Sequence, residues 1–122
     1  MISSSIRVLQ VNLNRSPQAT ESALQTAVEL KVDLIIIQEP WIIFNKDQLD
    51  FRNTKSILHS AYMQILPADL TLRPRTLVYV ARTFQPTVNL AKESPLDPDL
   101  LVIDIIEGNQ KIQLLNIYNK LN

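Results

Sequence analysis

Cysteine is absent from this sequence, and glycine and histidine occur once each. Each shortage removes a class of chemistry. Without cysteine there are no disulfides, no thiolate zinc sites and no thiol nucleophile. A single glycine, Gly108, rules out the glycine-rich loops that cradle nucleotide phosphates. His59 stands in a polar stretch with no second histidine at ligand spacing and receives no role. No run approaches the roughly 18 apolar residues that a membrane span requires, and MISSSIRVLQ has no apolar segment behind a basic start. These features suit a non-secreted, intracellular protein with no membrane partner. Net charge is lacking as well. Twelve basic side chains balance twelve acidic ones, so contact with a polyanion has to come from a local patch.

What is present is apolar and foldable: 46% of the 122 residues are hydrophobic and 20% charged, the composition of one modest domain with a core. Ile6 to Leu13 reads as a strand. Ser16 and Pro17 then read as N-cap and first helical position, opening a helix to about Lys31 whose Ala23, Leu24, Ala27 and Val28 share one face. Asp33 to Gln38 is short and rich in isoleucine, the pattern of a central strand covered on both faces. Strand, helix and strand in some thirty residues make a βαβ unit, so both strands are parallel and end at the same edge. Ile42 to Ser60 is expected to be a surface connection. Short antiparallel strands follow over Tyr62 to Leu66, Thr76 to Ala81, Thr87 to Leu90, Leu100 to Ile106 and Lys111 to Tyr118, punctuated by prolines, with a hairpin turn at Gly108-Asn109. The fold class is α/β (α+β), and one α+β layer is the economical arrangement.

The shared edge gathers unusual residues. VNLNRS closes the first strand with Asn12 and Asn14, and Arg15 follows; QEPW closes the second with Glu39. Alternation along a strand puts Asn12 and Asn14 on one face, so both amides are expected to reach toward Glu39. One carboxylate and two amide oxygens suit Mg²⁺, a hard cation that favours oxygen ligands. Turn formation and helix capping account for the same asparagines equally simply. Near the other end of the chain LLNIY places Asn116 and Tyr118 at a strand end, where the phenol could donate to a phosphate or merely be half buried. Arg73 and Arg75 flank Pro74 and could bind phosphate or lie on an ordinary surface.

Taken together, VNLNRS, DLIIIQEPW and LLNIYN resemble the endonuclease/exonuclease/phosphatase family, and within it the N-terminal endonuclease domain of fungal non-LTR retrotransposon polyproteins. The resemblance runs from Ile6 to about Asn119. It implies a metal-dependent phosphodiesterase acting on DNA, with Mg²⁺ or alternatively Mn²⁺ as cofactor and a nuclear location. By position, Asn12, Glu39 and Tyr118 match catalytic residues, Glu39 and Asn14 match metal-binding positions, and Asn12, Arg15 and Tyr118 match phosphate or DNA contacts. The family's later motifs, a Gly-Asp-x-Asn strand end and an Asp-His pair that activates water, do not occur in this sequence. Residues 1–122 are therefore expected to be the first half of a two-sheet α/β sandwich, catalytically incomplete, with a bare inner sheet face. The alternative is a non-enzymatic remnant that self-associates through that face.

Overall fold

In a computed structural model, which describes residues 5–43, 55–68 and 71–119, the βαβ unit forms as its sequence dictates. Strand β1 (Val8–Asn12) and strand β2 (Leu34–Gln38) pair in parallel, with Val8 opposite Leu34 and Asn12 opposite Gln38. Helix α1 (Pro17–Glu29) connects them. Its start is built by Ser16, whose hydroxyl accepts the Ala19 N–H at 3.0 Å, and by Pro17, which needs no hydrogen-bond acceptor there. The helix stops slightly before the expected Lys31. Leu30 is the cap, Lys31 turns left-handed at φ 56°, and the Lys31 and Val32 N–H groups return to the Val28 and Ala27 carbonyls. This Schellman closure satisfies the last carbonyls and sends Val32 into the core.

The second half is antiparallel. Strands β3 (Tyr62–Ile65) and β4 (Thr76–Ala81) extend the first sheet to the order β1-β2-β4-β3. Strands β5 (Thr87–Leu90), β6 (Leu100–Glu107) and β7 (Gln110–Ile117) form a second sheet in that order. The β6–β7 turn passes through Gly108 at φ 59°, where a residue without a Cβ is suited. Residues 44–54 of the expected connection lie outside the described residues; at its borders Ile43 bridges to Lys55.

The layering differs from expectation. Ile35, Ile37, Leu77 and Tyr79 face α1 and bury Leu24 and Ala27. Leu34, Ile36, Val78 and Val80 point the other way, and Leu101, Ile103 and Ile105 of β6 cover them. The single layer is thus two packed sheets with a helix outside, both sheets coming from this chain. The inner face expected to be bare is covered over β2 and β4, because β6 presents an apolar residue at every second position and lies across them, while Val8 on the same face of β1 stays exposed. Apolar side chains stay exposed on the edge strands. β1, β3, β5 and β7 each have one strand neighbour, and Val8 of β1 and Leu115 and Ile117 of β7 are about half exposed, at 48%, 54% and 56%. Leu115 and Ile117 pair with Val102 and Leu100, so they lie on the outer face of the second sheet and not on the inner face expected to be bare.

Candidate active-site edge

Parallel pairing brings the carboxyl ends of β1 and β2 to one edge, and backbone bonds carry the chain onward from there. Leu13 N–H donates to the Gln38 carbonyl at 3.0 Å, Arg15 N–H to the Glu39 carbonyl at 2.9 Å, and Glu39 N–H to the Arg75 carbonyl at 3.0 Å. Three non-glycine residues here adopt positive φ: Asn14 at 49°, Arg15 at 59° and Glu39 at 51°. Apart from Lys31 these are the only such residues among those described. Backbone strain of this kind concentrates where side chains must be re-aimed.

The outcome is a contact between Asn12 and Glu39. The Asn12 amide donates to Glu39 Oε1 at 3.3 Å, while its Oδ1 accepts the Asn14 N–H at 2.9 Å. Both contacts require the same orientation of the amide. The capping-type reading of Asn12 and the carboxylate-facing reading therefore hold together in one side chain. Asn14 does not share the strand face of Asn12 as alternation predicts. The strand ends at Asn12, and Asn14 sits in a left-handed turn where period-two geometry no longer applies.

β7 closes the edge from the second sheet. Asn116, 1% exposed, accepts from Gln38 Nε2 at 2.5 Å and donates to the carbonyls of Ile37 and Leu77 at 2.9 and 3.0 Å. It ties both sheets together behind Glu39. Sequence reasoning gave Asn116 no role, although an amide inside an apolar strand was the available signal. Tyr118 lies just beyond, its N–H donating to the Asp99 carbonyl at 2.8 Å and its ring centroid 5.9 Å from the Arg75 guanidinium carbon. Arg75 in turn pairs with Asp99, and that hydrogen bond raises its already high pKa. Arg73 is pushed down by partial burial and then by the like charge of Arg15. Two guanidinium groups are therefore close enough at this edge to repel.

The donor set decides what cation fits. No group of three His, Cys, Asp or Glu side chains able to hold a metal occurs among the described residues. Asn12 turns its oxygen to Asn14 and its NH₂ to Glu39, so it orients the carboxylate and does not present the oxygen that the sequence reading foresaw. One oriented carboxylate fits Mg²⁺ retaining most of its water, a mode this ion favours, and does not make a full protein cage.

With that edge in view, the neighbour among solved structures is informative. The chain superposes on the endonuclease domain of TRAS1, a telomere-specific non-LTR retrotransposon, with a TM-score of 0.68 at 20% identity, over 95% of this chain. The fold is similar to that of part of this domain. The chain spans 45% of the length of that solved domain. No protein-family model matches the sequence, and no curated protein does. No helix among the described residues is long and apolar enough to cross a membrane.

Proposed function

We propose that this chain is part of a DNA endonuclease domain of retrotransposon type, carrying one wall of a Mg²⁺-dependent phosphodiesterase site. The observation that carries the reading is the Asn12–Glu39 contact at the carboxyl edge of parallel strands in an endonuclease fold. Glu39 would hold Mg²⁺, or Mn²⁺ in its place, and Asn12 would fix the carboxylate and meet the phosphate. Asn14 would approach the ion's water shell. Arg15 and Tyr118 would contact phosphate oxygens, an anion between Arg15 and Arg73 relieving their repulsion. When bound, the metal neutralises charge that develops on the phosphate. The sequence offers no Asp-His pair to take a proton from water. The rest of such a domain would supply that base and add strands to the open edges of β1 and β7, with nuclear DNA as substrate.

The test is a Mg²⁺ titration followed by amide NMR, beside a plasmid-nicking assay. Weak, saturable shifts at Asn12, Asn14 and Glu39, absent in Glu39→Ala, are expected, with no nicking by the chain alone. Absence of shifts at this edge would sink the metal reading, and nicking that depends on Glu39 would sink the claim of incompleteness. The second reading, a self-associating module, draws support from Leu115 and Ile117 on an open strand. Sedimentation as a monomer at every concentration in the NMR range would dismiss it.

A further inference from the structure

Along the edge strand β3 of the first sheet a cleft of about 700 Å³ opens. Its walls include Lys55, His59 and Arg82, and the apolar Leu58, Met63 and Leu66, with no carboxylate among its described lining residues. Cations gathered without a counter-charge favour an anion. The local hydrogen bonds leave the right groups available. His59 Nδ1 accepts the Ala61 N–H at 3.0 Å, so the neutral ring carries its proton on Nε2 as a donor. Arg82 Nε donates to the Ser60 carbonyl at 3.0 Å, which fixes the plane of the guanidinium and leaves both terminal nitrogens for other acceptors. Leu58 and Met63 are 67% and 43% exposed, apolar surface that an occupant would cover.

We infer that this cleft binds a small organic phosphate monoester. Its three acceptor oxygens match the ammonium, imidazole and guanidinium donors. An aryl or alkyl group would rest on the exposed Leu58. The volume falls in the range of small-molecule sites, roughly 300 to 1,000 Å³. Arg82 follows β4 directly, whereas Glu39 bonds to Arg75 before that strand. At roughly 3.3 Å per strand residue Arg82 and Arg75 are about 20 Å apart, and the cleft's lining shares no residue with the Asn12–Glu39 edge. The cleft is therefore separate from the proposed nuclease edge, and each can be tested without the other.

The full chain, titrated with phenyl phosphate and followed by amide NMR, with inorganic phosphate and phenol as comparators, decides the point. Saturable shifts are expected at Lys55, His59, Ala61 and Arg82, with phenyl phosphate binding about tenfold tighter than phosphate, and phenol showing none. Arg82→Gln and Lys55→Gln, both at exposed positions, should each weaken binding by about tenfold while the spectrum stays folded, the loss of one charge-assisted hydrogen bond. Glu39→Gln should leave the affinity for phenyl phosphate unchanged. The inference fails if no saturable shift occurs, if shifts centre on Asn12 and Glu39, if phosphate binds as well as its phenyl ester, or if Arg82→Gln keeps full affinity.

Discussion

Glu39 occupies a backbone conformation, φ 51°, that costs a residue with a Cβ about 1 kcal/mol or more. Glycine adopts it freely. Glu39→Gly is therefore expected to leave the urea midpoint unchanged or raised, by the equivalent of about 1 kcal/mol, while abolishing the Mg²⁺ response; a clear loss of stability would mean that the carboxylate holds the fold. Asn116 is the opposite kind of residue, buried and fully engaged. Asn116→Ala strands the Gln38 amide and removes a donor from two carbonyls, a cost of about 2 to 3 kcal/mol, read as a lower midpoint at constant m-value. Of these two, Glu39 stood out in the sequence because a carboxylate after an isoleucine run at a sheet mouth has little packing purpose. Asn116 was visible but uninterpretable, since its partners lie 39 to 79 residues away in sequence.

Elements read more easily than the way they stack. The strand pattern of β4 and β5 predicts their bounds to the residue, and α1 is announced by Ser16-Pro17, because these signals are local. Alternation misled only at Asn14, where a left-handed turn ends the strand and no glycine marks it. The placement of β5 to β7 over the first sheet depended on which of two apolar surfaces would meet, a choice that periodicity does not encode. Lys31 offers a test at this scale. It holds the left-handed position after α1 without being glycine, so Lys31→Gly should stabilise the protein by about 1 kcal/mol in chemical denaturation. No gain would mean that the Lys31 backbone is already relaxed.

Across the whole molecule, two phenols report on the core. Burial raises Tyr79 above its ordinary value of 10.0, and burial, then the charge of Asp33, does the same to Tyr62. Their hydroxyls donate to the Ile57 and Val32 carbonyls at 2.8 and 3.0 Å. In the unfolded chain they would lose protons first, near pH 10. The stability they confer is thus complete below about pH 10 and is lost as pH rises from there through the raised folded values. Denaturation midpoints should hold from about pH 8 to 9.5 and fall beyond. In a Tyr62→Phe, Tyr79→Phe protein the alkaline fall should be shallower, and an unchanged slope would assign it to other groups.

The bond from Gln38 to Asn116 also sets a schedule for synthesis. Its partners are 78 positions apart. At about 5 to 20 residues per second, a ribosome needs roughly 4 to 16 s to travel between them. The βαβ unit is complete in sequence well before then, yet the inner face of its isoleucine strand has no cover until β6 and β7 emerge. A nascent chain therefore carries an uncovered βαβ unit for several seconds, the interval in which a chaperone would have most to do.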